Sequence, residues 1–410
     1  MWIRALVAPN LSKERVSRVL KAVSNRRSRD LAGAPLHIML TVNAAWNIWN
    51  FRRNLVASLL EDGHRITVLA PTDEAEQLLI GAGCEFVHLP MDRRGLNPFR
   101  DFALLQRFRR IFSTQRPDLI LGFTIKNNLY GAIAARKAGI PFIPNVTGLG
   151  TAFLGGRLLQ SIAETLYRSA FRSAPFVFFQ NEDDQALFLD HGLVKPSQAR
   201  LLPGSGIDLG QFAPAPYSTT EDEPVFLMIG RLLRDKGVFE FVRAARMVRR
   251  QHPLARFQLL GPIGSVNRTA IGQEEVEAWQ EEGLIEYLGT REDVRDAIAA
   301  ADCVVLPSYR EGAPRTLIEA AAMARPLIAT DVAGCRAVVE EGRNGFLCAA
   351  RDSVSLAHAC LRFLALPVKD RRRLGEAARR KMEAEFDQAI VAAAYRDVID
   401  GCVRQAAGTA

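Results

Sequence analysis

The chain has 410 residues, of which 48% are hydrophobic and 24% charged, and its formal charge is +8. These proportions exclude a disordered chain, a collagen-like repeat and a disulfide scaffold, and the length predicts two to three domains. Residues 1–35 hold eight basic and two acidic residues, so they carry most of the net charge. The rest of the chain is nearly neutral, which argues against a dedicated nucleic-acid binder.

Within that basic extension, predicted to end at residue 34, Leu11–Val23 places Leu11, Val16, Val19, Leu20 and Val23 at helical spacing with Lys13, Arg15, Arg18 and Lys21 elsewhere on the helix. Such a helix can lie on an anionic membrane surface. No secretory signal shows in Met1–Asn10. The longest uncharged run, residues 138–156, is broken by prolines and glycines and does not read as a membrane span. The six cysteines show no C-x-x-C and no zinc-ligand spacing, and read as reduced, buried residues of a cytosolic protein.

From Leu36 the pattern alternates. Strands are predicted at 36–42, 64–70, 86–89, 118–123, 141–145 and 176–179, and helices at 51–61, 99–113, 128–138, 158–172 and 182–189, with Asn43–Asn50 as a loop. Alternation at this period means an α/β, doubly wound parallel sheet, here over residues 35–212. Residues 213–224, polar and proline-rich, read as a linker. The pattern restarts over 225–385, with strands at 225–229, 256–260, 285–288, 303–307 and 327–329 and helices at 237–251, 293–301 and 315–323. Two such domains face each other across a cleft, and ligands bind at the carboxyl ends of their strands.

The glycine-rich stretch Pro203–Gly210 has one residue too many for G-x-G-x-x-G and ends a domain instead of following its first strand. The first strand runs into Asn43-Ala44-Ala45. A nicotinamide enzyme is therefore disfavoured, and no P-loop occurs. In the second domain Gly230-Arg231 follows a strand and Asp235-Lys236-Gly237 opens the next predicted helix. An arginine and a lysine converging beside free helix N–H groups suit a diphosphate. Glu311 lies in the loop before the next helix and Glu319 about one turn into it, where the two carboxylates can accept hydroxyls of a sugar and a ribose. The N–H groups of Ala313, Arg315 and Thr316 stand at that helix start.

Gly230-Arg231…Asp235-Lys236-Gly237, Glu311-Gly312-x-Pro314…Glu319-Ala320 and Ala329-Thr330-Asp331-Val332-x-Gly334…Glu341-Gly342-x-Asn344-Gly345 together resemble the family 4 retaining glycosyltransferases of the GT-B fold. Asn145-Val146-Thr147-Gly148-Leu149-Gly150 and Trp49-Asn50-Phe51-Arg52 look like the subgroup acting on polyprenyl-diphosphate-linked sugars. The resemblance implies two Rossmann-like domains, the first binding the acceptor and the second the nucleotide-sugar, with residues 386–410 forming a helix that crosses back to the first. It implies that Arg231 and Lys236 bind the donor diphosphate and that Glu311 holds the donor sugar. Glu319 would hold the ribose, and Gly230, Gly312, Ala313, Arg315, Thr316, Leu317, Thr290 and Arg291 would line the donor site. Asn43, Trp46, Asn47, Arg52, Thr147 and Gly148 would serve the acceptor or the reacting sugar. The chain departs from many relatives in lacking a double glycine after the first strand and a histidine where Thr147-Gly148 stands.

No Asp-x-Asp triplet occurs, so catalysis without a metal or cofactor is expected. The expected partners are a nucleotide-sugar donor (UDP-linked), a polyprenyl-diphosphate-sugar acceptor and an anionic membrane surface, at the cytoplasmic face and with no nucleic acid. Two other readings share this fold: an epimerase acting on a free UDP-sugar, and a non-catalytic nucleotide-sugar-binding protein. Intact Arg231, Lys236, Glu311 and Glu319 weigh against the second.

Overall fold

The structure, a computed structural model, describes residues 35–92, 97–148, 157–217, 223–264 and 269–407. The basic extension, on which the Leu11–Val23 helix is expected, the apolar Leu149–Leu154 stretch and linker residues 218–222 lie outside the described residues.

The first domain runs β1 (His37–Thr41), α1 (Ala45–Glu61), β2 (Arg65–Ala70), α2 (Glu76–Gly81), β3 (Glu85–His88), α3 (Pro98–Gln115), β4 (Leu119–Phe123), α4 (Ile125–Ala138), β5 (Phe142–Val146), α5 (Arg157–Phe171), β6 (Val177–Phe179), α6 (Glu182–Asp190) and β7 (Ala199–Leu201). Its seven strands are ordered β3-β2-β1-β4-β5-β6-β7. The second domain runs β8 (Val225–Ile229), a 3-10 turn (Arg234–Lys236), α7 (Val238–Val248), β9 (Arg256–Leu260), α8 (Gln273–Glu281), β10 (Glu286–Tyr287), α9 (Arg295–Ala300), β11 (Cys303–Leu306), α10 (Arg315–Ala322), β12 (Leu327–Thr330), α11 (Ala333–Val338), β13 (Gly345–Cys348), α12 (Ser353–Leu364) and α13 (Val368–Lys381). Its six strands are ordered β10-β9-β8-β11-β12-β13. A π turn (Met382–Phe386) and α14 (Gln388–Ala407) close the chain.

Strand pairing is parallel throughout both sheets, so the α/β doubly wound expectation holds twice. Each central strand feeds two cores because successive side chains alternate between faces. In β1, Ile38 and Leu40 join one core and Met39 the other. In β8, Phe226 and Met228 face one way, and Val225, Leu227 and Ile229 the other. All six cysteines are buried and unpaired within these layers. Helix α14 leaves the second domain and inserts Val391, Tyr395, Val398, Ile399 and Cys402 into the first domain's core.

The local readings need correction at several points. Asn43–Asn50 is not a loop, because α1 already starts at Ala45. The Asp73 carboxylate accepts from the Trp46 N–H (3.0 and 3.1 Å), which caps the helix from beyond β2, and Ile48 is buried on the same face as Arg52, Leu55 and Leu59. Lys236 does not open a helix. It closes a 3-10 turn, Gly237 follows at φ 78°, and α7 starts at Val238. A Cβ at Gly237 would collide with the Pro307 carbonyl, so the close approach of β11 forces this break. Short elements, namely α2, β7, α8, α11 and β13, escaped the periodicity because three to nine residues carry too little of it.

Candidate active site

Strand order reverses between β8 and β11 in the second sheet and between β1 and β4 in the first, and a crevice opens where neighbouring crossovers depart in opposite directions. Gly230 and the turn bearing Lys236 follow β8, and the segment carrying Glu311 follows β11. The two side chains meet, with Lys236 Nζ 2.5 Å from Glu311 Oε1 and both mostly shielded. Their backbone is fixed from below. The Asp235 carbonyl accepts from the Tyr309 N–H (3.0 Å) and the Ser308 hydroxyl (3.3 Å), and Thr330 donates to the Ser308 carbonyl. Behind the loop, a Cβ at Gly334 would strike the carbonyls of Glu311 and Gly312.

Helix α10 starts at Arg315 after Pro314, whose side chain cannot cap it, so the N–H groups of Arg315 and Thr316 have no intrahelical acceptor. The Leu317 side chain belongs to the core, and its N–H donates to the Pro314 carbonyl (3.1 Å). Glu319 is mostly shielded one turn in and paired with Arg315 Nε at 2.8 Å. Burial raises its carboxyl above the ordinary range while Arg315 pulls the other way. Arg315 also donates to the Ser205 hydroxyl and the Gly206 carbonyl, and lies over the Phe51 ring (5.7 Å). It therefore ties α10 to α1 and to the segment joining the domains.

On the facing domain, Asn43 and Trp46 stand at the start of α1, Trp46 half exposed. Asn47 Oδ1 accepts from Arg52 Nη1 (2.6 Å). The Arg52 guanidinium is buried, stacks 4.1 Å from the Phe123 ring centre, and is pushed down to about 10 by burial, still charged at neutral pH. Beside it, Tyr395 of α14 accepts from Asn145 Nδ2 (2.7 Å). Thr147 and Gly148 follow β5, and the Thr147 carbonyl packs directly on Gly312.

The fold therefore brings Lys236 to Glu311, Arg315 to Glu319, and Thr147 to Gly312. It does not bring Arg231, Thr290 or Arg291 to any of them. All three are exposed, and none makes a hydrogen bond or ion pair through its side chain to another described residue. Three residues beside the site carried no sequence signal of their own: Asn181, Asp184 and Arg310. Asp184 Oδ1 pairs with Arg310 Nη2 at 3.2 Å, and Asn181 Nδ2 donates to the Gly312 carbonyl at 3.1 Å.

Two family models divide the chain as the sheets do. "Glycosyl transferase 4-like domain" matches residues 48–204 and "Glycosyl transferases group 1" matches residues 223–365. Among characterised relatives, the N,N'-diacetylbacillosaminyl-diphospho-undecaprenol alpha-1,3-N-acetylgalactosaminyltransferase of Campylobacter jejuni is 27% identical over 88% of this chain and 98% of its own. An Escherichia coli UDP-Gal:alpha-D-GlcNAc-diphosphoundecaprenol alpha-1,3-galactosyltransferase is 25% identical over 66% of this chain and 72% of its own. Among solved structures, the sucrose-phosphate synthase of Thermosynechococcus elongatus superposes with a TM-score of 0.72 at 21% identity, covering 91% of this chain and 99% of its own. The two sheets, the site between them and these matches agree: the chain belongs to the group 1, family 4 type glycosyltransferases of the GT-B fold.

Proposed function

We propose that the protein is a retaining glycosyltransferase that moves a hexose or N-acetylhexosamine from a UDP-sugar onto a polyprenyl-diphosphate-linked glycan in surface polysaccharide assembly. It would act as a peripheral protein on the inner face of the cytoplasmic membrane. The carrying observation is the Lys236–Glu311 pair at the β8/β11 reversal, facing Thr147 across the cleft. The lipid-linked acceptor is supported by the names of both relatives, and the UDP donor by that of the Escherichia coli enzyme.

In this reading the difficult step is departure of the nucleoside diphosphate from the anomeric carbon. Charge develops on the diphosphate, and a fixed cation there stabilises the transition state more than the ground state. Lys236 supplies it, joined by Arg231, which is exposed and free to swing in, and by the first N–H groups of α10. Glu311 releases Lys236 to the phosphate and takes the hydroxyls of the donor sugar, and Glu319 takes the ribose. Thr290 and Arg291 border the base. The acceptor enters over Asn43, Trp46, Asn47 and Arg52, and Thr147 and Gly148 face the reacting sugar. Attack on the face that the diphosphate leaves gives retention, with a donor phosphate oxygen receiving the acceptor proton.

The test is a thermal-shift and mass-spectrometric screen against UDP-, GDP-, ADP- and dTDP-sugars, with and without a polyprenyl-diphosphate-sugar. Stabilisation by a UDP-sugar and an acceptor mass gain of one sugar is the expected result. Isomerisation of the UDP-sugar without acceptor would establish the epimerase instead. Glu311→Gln and Lys236→Ala should each lower turnover by about two to three orders of magnitude with the melting temperature retained. Wild-type turnover in both would remove the site.

A further inference from the structure

Glu311 belongs to the second domain, yet the residue on either side of it is held from the first, Arg310 by its side chain and Gly312 by its backbone. Arg310, the residue before, pairs through Nη2 with Asp184 Oδ1 (3.2 Å). Gly312, the residue after, offers its carbonyl to Asn181 Nδ2 (3.1 Å) and rests on the Thr147 carbonyl so closely that no Cβ would fit. Asn181 and Asp184 are themselves locked together at the start of α6. Asn181 Oδ1 accepts from the Asp184 N–H (2.8 Å), which turns the amide NH2 toward Asp184 Oδ2 (3.1 Å) and the Gly312 carbonyl. Both side chains are buried, 3% and 6% exposed. The result is a hydrogen-bonded chain, Arg310 to Asp184 to Asn181 to Gly312, with Glu311 at its centre. The same helical turn reaches α11 through Asp183 and Arg336 (2.5 Å), and α11 backs the Glu311 loop through Gly334.

We propose that Asn181 and Asp184, with Arg310, are positioning residues that set Glu311 from across the cleft, so that this carboxylate reaches its working geometry only while the two domains are in contact. This deepens the transferase reading above and rests on it. A loop anchored on one side alone is free to tilt, and misplacement of a reacting group by about 1 Å costs on the order of 100-fold in rate. An anchor supplied by the acceptor domain therefore ties the donor-side carboxylate to closure of the cleft. It discourages turnover of the donor when the domains are apart.

The experiment measures steady-state transfer for Asp184→Ala, Asn181→Ala, Arg310→Ala and Arg310→Lys, each alone and combined with Glu311→Gln. The alanine variants are expected to lose about 10- to 100-fold in kcat, with the donor KM within about threefold of wild type and the melting curve retained. Arg310→Lys should recover most of the loss. In the Glu311→Gln background each substitution should cost less than about twofold more, because the residue through which it acts is already gone. Wild-type kcat in the single variants, or an undiminished further loss in that background, would overturn the proposal. Wild-type turnover in Glu311→Gln alone would instead overturn the reading on which it rests, and the two failures are therefore distinguishable. Arg310 is half exposed, so its variants keep the test open if the buried Asp184→Ala does not fold.

Discussion

Thr124 holds φ 70° and ψ 155° at the end of β4, beside the β1/β4 reversal. That region is open essentially to glycine alone, and keeping a β-branched residue there costs on the order of 1–3 kcal/mol. A hydroxyl chain holds it in place: Thr124 donates to Asn127 Oδ1 (3.0 Å), and Asn127 donates to the Thr41 hydroxyl (2.8 Å). Thr124→Gly should raise the melting temperature while lowering transfer. A lower melting temperature would mean that the hydroxyl chain outweighs the strain. Glu319 carries a second residue-scale prediction. Burial raises its folded pKa, opposed by Arg315 and assisted by Asp293. A carboxyl with a raised folded pKa keeps its proton longer in the folded state, so stability falls as pH rises from about 4.3, the unfolded value, through the folded one. Glu319→Gln removes that slope. The melting temperature of the variant minus that of the wild type should therefore increase from pH 4 to pH 7, and a flat difference would contradict it.

Among the elements, the turn between β8 and α7 decides where Lys236 points. Its carbonyl at Asp235 is fixed by Tyr309 and Ser308, and Gly237 passes against the Pro307 carbonyl with φ 78°. Gly237→Ala meets both an unfavourable backbone conformation and a rigid backbone neighbour. It should cost more than about 1 kcal/mol in denaturant unfolding and weaken nucleotide-sugar binding, measurable by calorimetry. Elements of this kind explain what was legible in the chain and what was hidden. Strands β8 and β9 read correctly to the residue because an apolar run bounded by polar and glycine residues is a local signal. The start of α1 was hidden because its cap, Asp73, comes from beyond the next strand. The 3-10 turn at Lys236 was hidden because its cause is Pro307, seventy residues on in a neighbouring strand end.

For the molecule as a whole, α14 is the piece that makes two domains one body. It starts beside the second domain, with the Gln388 N–H donating to the Ile207 carbonyl (3.0 Å), and ends inside the first domain's core. Arg396 pairs with Asp62 at the end of α1 (2.6 Å), and Tyr395 serves the buried Asn145, whose Oδ1 has no partner among the described residues. Tyr395→Phe leaves Asn145 with a second unsatisfied group and should cost about 1–3 kcal/mol, read from the midpoint of chemical unfolding. Among the described residues no helix is long and apolar enough to cross a membrane.

The linear chain by itself determined the alternation of strands and helices, the two-sheet architecture, and the residue types offered at the strand ends: Gly230, Lys236, Glu311, Gly312 and Glu319. These are properties of near neighbours, since periodicity, turn residues and helix starts depend on what lies within a few positions. The tertiary structure alone decided who meets whom. It paired Lys236 with Glu311 across 75 positions, buried Arg52 beside a tyrosine of the last helix, and left Arg231 in solvent. It also placed Asn181 and Asp184 on either side of Glu311. Such contacts follow from strand order and from the packing of one domain on the other, and neither leaves a local pattern for a reader of the sequence to find.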